Sequence, residues 1–113
     1  MERREYPRFQ VRLQIEVREI GAQFASHGDT TNVSLGGCYV ATLFPLAAAS
    51  KVEFVMWLGE EAVRGQGTVR TCHPGVGMGI EFRSLSREIK RRLDCHLRTT
   101  APVAQNAEHY LPL

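Results

Sequence analysis

Three arginines, Arg3, Arg4 and Arg8, crowd the stretch ERREYPRF at residues 2–9. Each guanidinium is a planar fork of N–H donors that matches phosphate oxygens and the O6/N7 edge of guanine. Arg4 and Arg8 are four residues apart, which on a helix would give them a common face. Pro7 disfavours a helical Tyr6, so an extended or turn-like segment is expected instead. Taken alone, the cluster reads as a solvated charge run.

A second group is NVSLGG, residues 32–37. Asn32 and Ser34 carry short polar side chains two residues apart, and in an extended backbone these point the same way. Both side chains donate and accept hydrogen bonds, so both can read a base edge. Gly36 and Gly37 lack Cβ, which admits either a ligand close to the main chain or a positive φ. Taken alone, these residue types also form ordinary turns.

The elements that must position these groups read mainly as strands. VRLQIEV alternates apolar and polar from Val11 to Val17, the period of a half-buried strand. Gly21 is a turn candidate, and QFASHGDTTNVS can return antiparallel. GGCYVAT supplies a third strand, and FPLAAAS is a loop broken by Pro45. KVEFVMWLG is rich in β-formers. A turn at Gly59–Glu61 leads into AVRGQGTVRTCH, where Gly65 and Gly67 suit a bulge or a close backbone approach. Pro74-Gly75 marks another turn, and GMGIEF is the last short strand. The period then lengthens. Leu85, Ile89, Leu93 and either His96 or Leu97 recur at helical spacing, with Ser84 or Ser86 as N-cap. Five or six antiparallel strands followed by one amphipathic helix suggest a small barrel or sandwich. The helix buries its apolar stripe most simply over one barrel mouth.

Composition bounds the function. The chain has 113 residues, enough for one domain with a modest core, and a net charge of only +2. An anion site must therefore come from local clustering. No apolar run approaches the ~20 residues of a membrane helix, and no apolar stretch follows the basic start as in a signal peptide. A soluble, cytoplasmic protein is expected. Cys38, Cys72 and Cys95 are odd in number and widely spaced, as suits reduced thiols.

The two polar groups in this order, R-x-x-x-R and then N-x-S-x-x-G some two dozen residues later, resemble the PilZ domain family. The matching residues are Arg4 and Arg8, then Asn32, Ser34 and Gly37. GMGIEF resembles the family's final barrel strand, and the helix from Leu85 to Leu97 completes the order of elements. The resemblance spans about residues 3–98. It implies a six-stranded antiparallel β-barrel with a C-terminal helix, binding cyclic di-GMP, a bacterial second messenger. By the same resemblance, Arg4 and Arg8 grip phosphate and guanine, Asn32 and Ser34 read a guanine edge, and Gly37 keeps the loop open. Arg3 would lie against a guanine and favour two stacked ligand molecules. Asn32 stands where the family also allows Asp, and it accepts through one oxygen rather than two. A further contact is implied from within Arg70–His73.

The implied organisation is a ligand-clamp segment at 1–9, a barrel with helix at 10–98 and a tail at 99–113. Ordering Met1 to Pro7 would cost on the order of 10 kcal/mol, whereas one charged hydrogen bond returns only ~1.5–3 kcal/mol. Several arginine contacts and guanine stacking are needed to offset that cost. The expected behaviour is a switch, in which the N-terminal segment folds onto the barrel with ligand and signals to a protein partner.

Other patterns carry less. Cys72-His73 and Cys95-His96 could form a zinc site but lack the usual ligand spacing. GVGMG leads into a strand rather than opening a helix, so hairpin glycines are expected. Ser34 has no nucleophile elbow, no paired carboxylates suggest hydrolysis, and no enzyme activity or cofactor is expected. The basic helix REIKRRLDCHLR could meet nucleic acid or acidic lipid, but a solvated helix face is the simpler reading. Two alternatives stand beside the receptor: a PilZ-like protein-interaction module that does not use the nucleotide, and a small nucleic-acid-binding barrel.

Overall fold

The computed structural model describes residues 6–100. Six strands, β1 (Gln14–Glu19), β2 (Ser26–Val33), β3 (Gly37–Ala41), β4 (Lys51–Leu58), β5 (Glu61–His73) and β6 (Gly77–Ser84), precede one helix, α1 (Arg87–Thr100). The strands close into a barrel in the order β1-β2-β3-β6-β5-β4, with every neighbouring pair antiparallel. Closure leaves no unpaired sheet edge. The period-2 pattern decides which side chains go inside. β4 buries Val52, Phe54, Met56 and Leu58 in strict alternation. Ile15, Val17, Val33, Cys38, Val40, Val63, Val69, Met78 and Ile80 complete the lining.

The strand registers define two mouths. Val33 pairs with Cys38, Gly37 with Glu81, Gln66 with Ser84 and Leu58 with Glu61, so these residues ring one end. The chain leaves β6 at this end and turns into α1. Ser86 caps the helix, its Oγ accepting from the Ile89 amide at 3.1 Å. Leu93 and Leu97 are buried in the barrel core, and Leu85 and Ile89 pack beside them. The apolar stripe thus stoppers this mouth. Arg92 adds an ion pair to Glu61 at 2.7 Å. The helix continues two residues past Arg98, and the Thr99 hydroxyl donates to the Cys95 carbonyl at 2.8 Å within this last turn.

The chain leading into the barrel differs from the expected strand at Val11–Val17: β1 begins only at Gln14. A bulge between Thr30 and Asn32 interrupts β2. Beside it, the Thr30 amide still donates to the Leu13 carbonyl at 2.9 Å, and the buried Thr30 side chain adds two more bonds. Its hydroxyl accepts from the Leu13 amide at 2.9 Å and donates to the Val11 carbonyl at 2.7 Å. Pairing then resumes at Phe9 and Val33, whose amides and carbonyls exchange two bonds of 2.9 Å. Phe9 is itself a core residue, and the Arg98 guanidinium sits 5.8 Å from the centre of its ring.

Candidate ligand-binding site

The Phe9–Val33 bridge brings the two polar groups together. It lays residues 6–9 along the end of β2 and the loop that follows. Arg8 Nη1 donates to Asn32 Oδ1, joining side chains 24 positions apart. The Tyr6 ring lies against Gly36, where an added Cβ would stand 3.2 Å from Tyr6 Cδ2. Arg3 and Arg4 lie outside the described residues.

Ser34 is buried and turned into its own loop. Its Oγ accepts from the Gly36 amide at 3.0 Å, while its amide donates to the Gly37 carbonyl at 2.8 Å. This turn after Val33 sets the two polar side chains in different surroundings. Asn32 stays half-buried, with Nδ2 donating to Thr31 Oγ1 at 3.2 Å.

Neither Gly36 nor Gly37 has a positive φ. Gly37 opens β3, and a Cβ there would fall 2.3 Å from the Ile80 carbonyl oxygen. The space its missing side chain leaves is taken by the backbone of β6. The Gly36 carbonyl in turn accepts from the Phe82 amide at 2.9 Å, fixing the loop to the same strand.

Beneath the loop, burial pushes the Cys38 thiol up to about 12, opposed by the nearby Arg8 charge. Tyr39 is the cross-strand partner of Asn32, so both project from the outer face. Its ring crosses Gly77, where a Cβ would meet Tyr39 Cε2 at 2.7 Å, and its hydroxyl lies 2.9 Å from His73 Nδ1. Burial raises the Tyr39 hydroxyl pKa, and neighbouring Cys72 adds to the rise. Within Arg70–His73, Arg70 pairs with Glu81 at 2.9 Å and His73 with Tyr39. The glycines of GVGMG are thus hairpin glycines that seat an aromatic ring. Tyr6 and Tyr39 were not singled out from the sequence as site residues. An aromatic inside the first arginine motif was the one available signal for Tyr6.

Three of the five basic side chains of the helix are held in ion pairs. Arg91 pairs with Glu88 at 2.8 Å, Arg92 with Glu88 and Glu61, and Arg98 with Asp94 at 2.9 Å. Hydrogen bonding from Arg91, before its charge and the contribution of Arg92, holds the Glu88 carboxyl below its usual range. Among the described residues no three His, Cys, Asp or Glu side chains cluster as metal ligands, and no helix is long and apolar enough to cross a membrane.

A family model described as PilZ domain matches residues 2–99. No curated protein sequence matches the chain. Among solved structures, the PilZ domain with c-di-GMP of YcgR from Escherichia coli is similar at 12% identity and a TM-score of 0.73, covering 87% of this chain and 91% of that one. The Bacillus subtilis inhibitor of motility (MotI/DgrA) is similar at 17% identity and a TM-score of 0.73, covering 88% of this chain. This chain spans about half of the MotI chain, 51%. The PilZ domain of CeSA from a cellulose-synthesizing bacterium is similar at 18% identity and a TM-score of 0.66, covering 81% of this chain and 95% of that one.

Proposed function

This chain belongs to the PilZ domain family, and from that membership we propose that it is a receptor domain for cyclic di-GMP, a binding module rather than an enzyme. The observation that carries the reading is the Arg8–Asn32 contact. The residues that match the two halves of the family's motif stand side by side on the barrel surface. In this structure the Asn32 side-chain oxygen accepts from Arg8. A guanine bound here can offer O6 and N7 to Arg8 in place of Asn32 Oδ1 and donate a ring-edge N–H to that freed oxygen, so that both side chains meet the ligand. Arg3 and Arg4 add phosphate and guanine contacts from the preceding residues, and Ser34 holds the loop on which Asn32 depends. With ligand, the N-terminal segment rearranges and alters a surface offered to a protein partner in the cytoplasm.

Calorimetry with cyclic di-GMP tests this. Wild type binds. Arg4→Ala, Arg8→Ala and Asn32→Ala each weaken binding by roughly tenfold or more, as expected for loss of a charged or bidentate contact. No heat with folded wild type overturns the reading. Stoichiometry near two supports Arg3 as the residue that captures a stacked pair. Equal amide-exchange protection of residues 1–9 with and without ligand overturns the switch. The nucleic-acid alternative predicts polynucleotide binding with steep salt dependence, but most of the helix arginines it would use are committed to Glu61, Glu88 and Asp94.

A further inference from the structure

On β3, Tyr39 faces outward between the buried Cys38 and Val40. Its cross-strand partner on β6 is Gly79, and Gly77 shares that face because Met78 between them points into the core. An added Cβ at Gly77 would meet Tyr39 Cε2 at 2.7 Å and Cζ at 3.0 Å, and one at Gly79 would meet Cδ1 at 3.8 Å. Cε2 and Cδ1 are para to each other. Opposite corners of the ring therefore rest over two different glycines, so the ring lies down along β6 rather than standing on edge. Its hydroxyl, 2.9 Å from His73 Nδ1, pins the far end to β5. That bond joins the two rings edge to edge, with centroids 5.9 Å apart, so His73 sits beside the Tyr39 ring and not over it. One face of the ring is occupied by the glycines. The other is turned to water, and the residue is only half-buried.

On its other side, Tyr39 is paired with Asn32 across β2 and β3. Arg8, Asn32 and the open face of the ring therefore follow one another over a single outer surface. The first two can read the edge of a planar base, and a base read at its edge needs support on its face. Neighbouring side chains on β5 do not offer it: Arg70 is held by Glu81, Thr71 Oγ1 accepts from the Gly79 amide at 3.1 Å, and His73 is held by Tyr39 itself. We propose that Tyr39 is the stacking platform of this site. The base whose edge meets Arg8 and Asn32 lies with its face on the Tyr39 ring, and Gly77, Gly79 and His73 keep that ring flat. The proposal rests on the cyclic di-GMP reading and adds the residue by which the site takes a planar base rather than a phosphate alone.

Calorimetry with cyclic di-GMP and proton NMR of the Tyr39 ring test it. Tyr39→Leu should weaken binding on the order of tenfold, the loss of one base–aromatic stack. Tyr39→Phe keeps the ring and gives up only the bond to His73, so it should bind more tightly than Tyr39→Leu. In wild type the Tyr39 ring protons, identified by their loss in Tyr39→Phe, should move upfield on addition of ligand, because a stacked base shields them. A side chain that merely supports the barrel would not show that shift, and the measurement needs no destabilising variant. Wild type that binds without the upfield shift overturns the platform and leaves the receptor reading standing. So does Tyr39→Leu, folded by circular dichroism, that binds as wild type does. Tyr39→Phe as weak as Tyr39→Leu overturns stacking in favour of a contact through the hydroxyl. Wild type that binds no cyclic di-GMP overturns the receptor reading and the platform with it.

Discussion

Gly36 and Gly37 are neighbours in one motif, yet substituting alanine at each should give different outcomes. At Gly37 the new Cβ would stand 2.3 Å from the Ile80 carbonyl oxygen and 3.4 Å from Glu81 Cα, both backbone atoms of β6. A carbon and a carbonyl oxygen sit comfortably at about 3.3–3.6 Å, so the strands must part by roughly 1 Å. An edge strand could swing aside. β3 cannot, because β2 is paired along its other side in a closed barrel. Overpacking costs about 1–3 kcal/mol, and one or two weakened ladder bonds add about 0.5–1.5 kcal/mol each. The sum is about 1.5–6 kcal/mol, a large part of the roughly 5–15 kcal/mol that holds a typical domain together. At Gly36 the clash is 3.2 Å from a ring edge of Tyr6, a side chain that can shift, and the cost should stay below about 1 kcal/mol. Urea denaturation followed by Trp57 fluorescence measures both. Cyclic di-GMP titration well below the midpoint then asks what binding remains. We expect Gly37→Ala to lose stability and Gly36→Ala to keep it. If Gly37→Ala denatures within about 1 kcal/mol of wild type, the close approach does not govern that position.

Other expectations follow from single contacts. Thr30→Val strands the Leu13 amide and the Val11 carbonyl and should cost about 2–4 kcal/mol by urea denaturation, with the largest gain in amide exchange at Leu13. Leu93→Ala opens a cavity at the stoppered mouth and should cost about 2–5 kcal/mol by the same measurement. The folded Cys38 thiol keeps its proton to about 12, while the unfolded thiol loses it near 9.0. Between these values the unfolded state binds fewer protons, so stability falls as pH rises, by about 1.4 kcal/mol per unit from this group. Wild type should therefore lose stability faster than Cys38→Ala above about pH 9 in urea titrations; parallel curves would count against it. A thiol reagent at neutral pH should label exposed Cys95 promptly and buried Cys38 only through unfolding.

The barrel was legible because its causes are local. Alternation in VRLQIEV names the inward-facing Leu13, Ile15 and Val17, and the helical spacing of Ile89, Leu93 and Leu97 names the apolar stripe of α1, with Leu85 just before it. Gly21 and Gly75, at φ 93° and 76°, are turns for reasons each carries itself. What the sequence hid depends on partners far along the chain. Nothing near Gly37 says that the Ile80 carbonyl will occupy its side-chain space. Nothing near Thr30 says that its hydroxyl will bond to the chain at Val11 and Leu13. The side chains of Asn32 and Ser34 diverge because the chain turns after Val33, which alternation alone does not reveal. The proximity of Arg8 and Asn32 was implied by the motif order, and its cause, the Phe9–Val33 bridge, was not.

The contact between Arg98 and the ring of Phe9 places the first described residues beside the last turn of the helix. Entry and exit are therefore neighbours, both at the mouth that carries Arg8 and Asn32. A protein built this way can be spliced into another, or joined to one at either end, without being pulled apart at opposite poles. For modular assembly, that arrangement makes any occupant of the surface around Arg8 an immediate neighbour of the joint.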